Sequence, residues 1–319
     1  MTNSKTEQIG FLLLPHFPLL SFSAAVEPLR LANRQTDQAL YAWHLLTTDG
    51  NPVRSSSGIE IRPHAAITDV VSLDMLIVVA GAGSESYKDK HTLDQLKRYA
   101  ARGCAMGALT LGTYLLARAG LLKGYRCTVH WEYLEAFREE FSQLKVTPEV
   151  FEIDRNRLTC SGGTAALDMT LCYMGLQRGW NLATEVADLF IHERIRDDDT
   201  QRMPLRTRLG VSHPKLLHAI ALMESSADKV LSRDELAKQV ALSGRQLERL
   251  FQKYLGTTPK QYYLQFRLWR ARNLLRQTTL PVIEVAVACG FSTASHFSKS
   301  YRDRFGITPR EERVRGHAQ

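Results

Sequence analysis

Apolar positions in the first 190 residues fall into short continuous runs separated by amphipathic stretches. Residues 9–14, 43–47 and 75–80 read as strands, and residues 21–31, 93–101 and 110–122 carry the three- and four-residue spacing of helices. Alternation of this kind predicts an α/β fold on a mostly parallel sheet. In the last hundred residues the periodicity is helical throughout, and part of it repeats. Leu247, Phe251, Gly256, Thr258 and Pro259 return fifty positions later as Phe297, Tyr301, Gly306, Thr308 and Pro309. Each copy holds an apolar-periodic helix, a tight break, a second helix and a Gly-x-Thr-Pro stop, so the chain draws a helix-turn-helix twice.

In the first unit Ser232-Arg-Asp-Glu235 is a capping box that opens a helix, with Ser at the cap and Glu three residues on. Leu236, Ala237, Val240 and Ala241 are expected to face inward. After a break at Leu242-Ser243-Gly244, the next helix buries Leu247, Leu250, Phe251 and Tyr254 and leaves Arg245, Arg249 and Gln252 opposite. In the second unit Val282, Val285 and Ala286 precede a break at Gly290-Phe291-Ser292. Phe297, Tyr301 and Phe305 then form the buried stripe, with Ser295, Lys299 and Arg302 opposite. Between the units, residues 259–277 read as one long helix with Leu264, Leu268, Ala271 and Leu275 at helical spacing and Arg267, Arg270, Arg272 and Arg276 on its polar sides. A rigid connector fixes the distance between two reading helices, roughly 34 Å for successive major grooves on one face of DNA. Some of its arginines are expected on phosphate, where they add affinity without sequence information.

Charge sharpens the division. Residues 1–200 hold 20 Lys+Arg against 24 Asp+Glu, whereas residues 201–319 hold 21 against 9, which puts +12 on the C-terminal part of a chain whose total is +8. A basic surface at one end only is the footprint of a DNA-binding module beside a near-neutral domain. The matched polar faces suit base reading: Arg and Lys pair with guanine edges, Gln with adenine, and Ser and His make shorter contacts. No run of eighteen apolar residues suggests a membrane span, and residues 1–8 lack the apolar core of a signal peptide. Cys104, Cys127, Cys160, Cys172 and Cys289 show no Cys-x-x-Cys spacing, which favours a reduced cytoplasm over a disulfide or zinc framework. His192-Glu193 and Asp197, Asp198 and Asp199 fall far short of a metal site. The expected organisation is a domain over 1–196, a linker over 197–212 with Arg202, Pro204, Arg206, Arg208 and Gly210, and a DNA-binding domain over 213–319.

With the motifs Ala286-x-x-x-Gly290-Phe291-x-x-x-x-x-Phe297 and Phe305-Gly-x-Thr-Pro309, the segment 231–313 resembles the AraC/XylS regulator domain. The resemblance implies an all-α, seven-helix, two-headed reader of double-stranded DNA that usually activates transcription beside RNA polymerase. It puts Arg245 and Arg249 of the first unit, and Ser295, His296 and Lys299 of the second, at the groove. Gln246, Gln252 and Arg302 complete the candidate DNA-binding set.

Two junctions in the N-terminal part carry candidate chemistry. Gly81-Ala82-Gly83 follows a strand directly and lets the backbone approach a ligand, although its spacing matches neither a dinucleotide nor a P-loop fingerprint. Met106-Gly-Ala-Leu-Thr-Leu-Gly112 runs from strand into helix, the geometry in which α/β hydrolases display a nucleophile at a sharp elbow. Further motifs are Ala119-Gly-Leu-Leu122, Thr128-Val-His-Trp131, and Ser161-Gly-Gly-Thr-Ala165 followed by Asp168. On these, residues 8–192 resemble the class I glutamine-amidotransferase-like superfamily of intracellular proteases and deglycases. More closely, they resemble the GlxA-type regulators that fuse this flavodoxin-like sandwich to an AraC domain. The resemblance puts Glu27 where the enzymes carry an acidic partner of their cysteine, and His130 where many carry a histidine. Their elbow cysteine falls on Thr110. A threonine hydroxyl is a poor nucleophile without an activating base or N-terminal amine, so the domain is expected to be an enzyme fold turned sensor, with Thr110 and Glu27 as hydrogen-bonding groups of the cleft.

The stretches Cys127-Thr-Val-His-Trp-Glu132, Phe151-Glu-Ile-Asp-Arg155 and Thr159-Cys-Ser-Gly-Gly-Thr164 look most like regulators of glycine betaine, carnitine and arginine catabolism. That resemblance implies a small zwitterionic effector with a cationic nitrogen. The candidate effector site comprises Phe17, Glu27, Gly81, Thr110, His130, Trp131 and Glu132, with Phe17 and Trp131 toward the cation and Glu27 or Glu132 as counter-charge. Core packing is the competing role for Trp131, and a structural hydrogen bond for His130. The chain is expected to be a cytoplasmic, homodimeric transcription activator that answers to this effector and needs no metal or cofactor. The competing readings are an amidotransferase-like hydrolase or deglycase carrying a DNA-binding module, and a DNA-binding protein whose α/β domain only dimerises.

Overall fold

Successive residues of the first strand point into two different cores. Strand β1 (Glu7–Leu13) sends Ile9, Phe11 and Leu13 to one side and Leu12 to the other. This is the period of two that puts neighbouring side chains on opposite faces of a sheet. In the computed structural model, which describes residues 5–70, 72–192, 195–196, 209–226 and 230–316, the same alternation recurs in Met75–Ala80. There Met75, Ile77 and Val79 face the first core and Leu76, Val78 and Ala80 the second. A strand buried on both faces is apolar at every position, which is why these runs are continuous in sequence.

The order after β1 is α1 (Leu19–Thr36), β2 (Tyr41–Thr47), the short strands β3 (Val53–Arg54), β4 (Glu60–Ile61) and β5 (Ala65–Ala66), β6 (Met75–Ala80), α2 (Lys90–Ala101), β7 (Ala105–Thr110) and α3 (Gly112–Arg118). Then come β8 (Arg126–Cys127), α4 (Leu134–Glu140), β9 (Lys145–Val146), β10 (Phe151–Asp154), β11 (Arg157–Cys160), α5 (Ala165–Arg178) and α6 (Trp180–Leu189). Seven strands form one sheet in the order β10-β11-β7-β6-β1-β2-β5, all parallel except the β10–β11 pair. Helices α1, α5 and α6 pack on one face, and α2, α3 and α4 on the other. This is the flavodoxin-like sandwich that the sequence predicts. Strand order reverses between β1 and β6, and the crevice at their carboxyl ends is where such folds bind ligands. The expected helix over 110–122 is shorter: Thr110 closes β7, and α3 spans Gly112–Arg118 before the left-handed Gly120.

The chain divides into Met1–Gln201 and Arg202–Gln319. That division falls inside the expected linker, of which only residues 209–212 are described. Glu193, Asp197, Asp198, Asp199, Arg202, Pro204, Arg206 and Arg208 lie outside the described residues.

The second unit shows seven named helices among its described residues: α7 (Pro214–Ser225), α8 (Arg233–Gln239), α9 (Gly244–Leu255), α10 (Pro259–Gln277), α11 (Val282–Ala288), α12 (Ala294–Phe305) and α13 (Pro309–Gly316). The Gly-x-Thr-Pro motif proves to be a junction rather than a stop. Gly256 and Gly306 end α9 and α12 in the left-handed conformation. Thr258 and Thr308 then cap α10 and α13, with proline in the first turn. Leu247 and Phe251 on α9, and Phe297 and Tyr301 on α12, are buried as the stripe predicts. Cys289 is in the core as well. Two inward assignments fail. Ala241 is exposed at φ 51 because it forms the turn after α8, and Tyr254 is exposed beside His213 and Lys253.

Candidate functional site

The carboxyl end of β7 is strained. Thr110 sits at φ 59, a region that costs an L residue about 1–2 kcal/mol and is rarer still for a β-branched one. The cause is local: β7 must end and α3 begin within one residue, and α3 starts on Gly112, where a Cβ would strike the Val78 carbonyl oxygen. The turn pushes the Thr110 side chain out of the sheet toward two other segments. Its Oγ1 lies 3.3 Å from Ser21 Oγ on the buried face of α1. Ser21 Oγ also accepts the Gly163 N–H at 2.7 Å. A Cβ at Gly162, which has φ 98, would strike Thr110 Oγ1. Strand end, helix α1 and the 161–164 loop therefore converge on one hydroxyl. Among the described residues, no carboxylate or imidazole hydrogen-bonds to Thr110.

The segment with His130 and Trp131 is tied to the helix that leaves this elbow. Thr113 Oγ1 on α3 donates to the Thr128 carbonyl at 2.9 Å, and the Thr128 N–H donates to Thr159 Oγ1 on β11 at 2.9 Å. His130 Nδ1 accepts the Glu132 N–H at 3.4 Å, and its ring tilts against Trp131 with centroids 5.6 Å apart. Burial lowers the His130 pKa, against the smaller opposing pull of Glu132. Trp131 is 42% exposed, which rules out a simple core-packing role. Glu132 is exposed beside it.

Three expected effector residues lie elsewhere. Phe17 is fully buried and packs edge-on against Phe22 at 6.0 Å, so its ring presents no face to a ligand. The space beside Gly81 is filled by the chain itself, because a Cβ there would strike the His16 carbonyl oxygen. Glu27 pairs with Arg30 at 2.6 Å on the outside of α1. Six residues past Ser21 is about 240° around the helix, so Ser21 and not Glu27 is the α1 residue that meets the elbow. A serine on the buried stripe Ser21, Ala25, Leu29 was the signal in the sequence.

In the second unit all eight candidate DNA-binding side chains are exposed: Arg245, Gln246, Arg249 and Gln252 on α9, and Ser295, His296, Lys299 and Arg302 on α12. Gln246 is partly committed, since its Oε1 accepts the Ser243 N–H at 2.8 Å in a capping box. Among the described residues, Arg245, Arg249 and Lys299 have no ion-pair partner.

The connector arginines behave differently. Arg267 is buried, stacks on Phe291 and donates to the carbonyls of Cys289 and Gly290 at 2.6 Å each, so it fixes the turn of the second unit. Arg272 and Arg276 pair with the fully buried Glu312 at 3.0 and 2.6 Å, and Tyr301 donates to the same carboxylate at 3.0 Å. These three hold the fold instead of lying free for phosphate. Sequence reading missed Glu312 because it projects inward from a helix rich in charge.

A basic helical unit that presents two matched polar helices, joined to a flavodoxin-like domain with a threonine at its elbow, defines a DNA-binding regulator built on a hydrolase-type fold. Comparison with known proteins agrees. Residues 9–175 match the DJ-1/PfpI family and residues 236–315 a helix-turn-helix domain. The chain is 47% identical over 312 residues to the HTH-type transcriptional regulator GbdR of Pseudomonas aeruginosa, covering 98% of this chain and 85% of that protein. It is 33% identical over 165 residues to the isonitrile hydratase of Pseudomonas putida, covering 51% and 69%. A crystal structure of an AraC family transcriptional regulator from Pseudomonas putida superposes with TM-score 0.54 at 31% identity, covering 58% of this chain and 99% of that one. The chain belongs to the family of AraC-type transcriptional regulators that carry a DJ-1/PfpI domain.

Proposed function

We propose that this regulator is a cytoplasmic, homodimeric activator of catabolic genes, and that its elbow cleft binds a small nitrogenous zwitterion such as a betaine, carnitine or a basic amino acid without transforming it. The observation that carries this reading is the elbow itself: among the described residues the Thr110 hydroxyl is bonded to the Ser21 hydroxyl and to no base, and an unactivated threonine does not attack a carbonyl at useful rates. What remains at that position is a pair of hydrogen-bonding hydroxyls.

Trp131, with Glu132 next to it, offers an indole face to the cationic nitrogen, a contact worth about 0.5–2 kcal/mol. A DNA-bound activator working beside RNA polymerase fits the two exposed reading helices. No helix among the described residues is long and apolar enough to cross a membrane.

Thermal-shift and calorimetric titration of the full chain with glycine betaine, carnitine and arginine test the reading. Saturable binding of one of them without turnover is expected. Hydrolysis or hydration that disappears in Thr110→Ala would instead establish the competing hydrolase reading.

A further inference from the structure

A second polar cluster lies behind the elbow loop, and neither the cleft nor the reading helices account for it. Asp168, in the first turn of α5, is fully buried. Its Oδ1 accepts from His192 Nε2 at 2.7 Å and from the backbone N–H of Arg196 at 2.9 Å. Its Oδ2 accepts from Arg196 Nε at 2.8 Å and Nη2 at 2.6 Å. A buried carboxylate persists only when paired and hydrogen-bonded. Here those donors come from the stretch through which the chain leaves its first unit.

Arg196 also reaches the elbow loop. Its Nη2 also donates to Thr164 Oγ1 at 2.9 Å. Thr164 stands at the N-cap of α5, yet its hydroxyl caps no backbone N–H. It directly follows Gly162 and Gly163, the two residues that pack against Thr110 and bond Ser21. An uninterrupted path therefore runs from Thr110 Oγ1 to Ser21 Oγ, to the Gly163 N–H, across one peptide to Thr164 and on to the Arg196 guanidinium.

We propose that Arg196 is a positioning residue that couples occupancy of the elbow cleft to the DNA-binding unit. This rests on the reading of the cleft as an effector site. A ligand that hydrogen-bonds Thr110 or the backbone of Gly162 and Gly163 biases the 161–164 loop between two arrangements: one in which Thr164 and Asp168 both hold Arg196, as here, and one in which Asp168 alone holds it. The anchoring of Arg196 differs between them. Coupling follows because the ligand binds the two with different affinity. An arginine suits the task because its planar fork serves both carboxylate oxygen and hydroxyl at once, which a lysine ammonium does not reproduce.

The test uses the full chain, a duplex selected from random DNA as its operator, and glycine betaine, carnitine and arginine as probes. Thr164→Val keeps the Asp168–Arg196 pair and removes no cap. Arg196→Lys keeps the charge and loses the fork. Calorimetry reads effector binding and fluorescence anisotropy reads operator affinity with and without effector. In wild type the effector is expected to shift operator affinity by about 5- to 150-fold. In Thr164→Val and Arg196→Lys that shift collapses toward unity, while operator affinity without effector stays at the wild-type value. A full effector-dependent shift in both variants overturns the coupling role and leaves the effector site standing. Loss of effector binding itself in Thr164→Val overturns it too, by making Thr164 a ligand contact. If wild type binds none of the probes, the effector-site reading falls and the coupling with it.

Discussion

The hydroxyls of Ser21 and Thr110 lie 3.3 Å apart, and the Ser21 oxygen also takes the Gly163 N–H. Two side chains from distant segments thus form a hydrogen-bonding pair where the fold's enzymes are expected to carry a nucleophile. Thr110→Val keeps the β-branched shape and deletes one hydroxyl. It is expected to cost about 0.5–1.5 kcal/mol of effector binding, a roughly two- to twelvefold rise in Kd. Thr110→Ser should stay near wild type. Calorimetry on the two variants separates the hydroxyl's contribution from that of side-chain shape.

The two turns that follow α8 and α11 are built alike but filled differently. Ala241 holds φ 51 in the first unit, where Gly290 holds φ 69 in the second. An alanine in the left-handed region is strained by about 1–2 kcal/mol, partly offset by the greater chain entropy that glycine loses on folding. Ala241→Gly is therefore expected to stabilise the second unit by up to about 1 kcal/mol, seen as a higher urea midpoint with an unchanged slope. A lower midpoint would contradict the left-handed turn.

These turns also show where the sequence was legible and where it was not. The apolar stripes of α9 and α12 follow a helical period and the buried strands form unbroken apolar runs, so pattern alone located them. The fifty-residue spacing holds from Ser243 and Thr293 onward, but Ala241 and Gly290 are forty-nine apart. The second turn has one more residue, and Ala241 is misplaced in the core when helical spacing is carried past Gln239, where α8 ends. Polar clusters assembled from distant segments carry no period. Ser21 with Gly163, Asp168 with Arg196, and Glu312 with Arg272 and Arg276 became visible only once the fold brought them together. Phe17 and Gly81 misled for a related reason: their residue types suit a ligand, yet the chain's own Phe22 and His16 occupy the space beside them.

Glu312 sits at the centre of the second unit's packing. Burial pushes its carboxyl pKa up, but hydrogen bonds from Arg276, Tyr301 and Arg272 outweigh that and leave it below the ordinary value. A depressed carboxyl contributes stability that is present above its unfolded pKa, about 4.3, and lost as pH falls through the folded one. Glu312→Gln is expected to cost about 2–4 kcal/mol at neutral pH, on the low side for a buried pair because Arg276 is half exposed. It should also flatten the acid side of the stability profile. Urea melts between pH 3 and 7 check both.

His130 gives the opposite chemistry with the same slope. Burial depresses its pKa, so the folded state holds it neutral while the unfolded state takes a proton near the ordinary value of about 6.5. Stability is complete above that unfolded value and falls as pH drops toward the folded one, since the unfolded chain binds the extra proton. His130→Asn retains an acceptor for the Glu132 N–H and does not titrate. Its melting temperature should lose less than wild type does between pH 7 and 5.5. An equal loss in both proteins would place the titrating group elsewhere.

This chain is proposed to read DNA through the exposed faces of α9 and α12. The most direct test is anisotropy of a selected operator and a scrambled duplex, titrated across salt, for wild type and Arg249→Ala. Operator preference is expected, with affinity falling about 10³- to 10⁵-fold between 50 and 200 mM salt if 6–10 phosphates are contacted. Arg249→Ala should cost about 1–3 kcal/mol on the operator and relax preference at one base pair. Equal binding of both duplexes by wild type would contradict sequence reading, and equal weakening of both by Arg249→Ala would make that residue a phosphate contact.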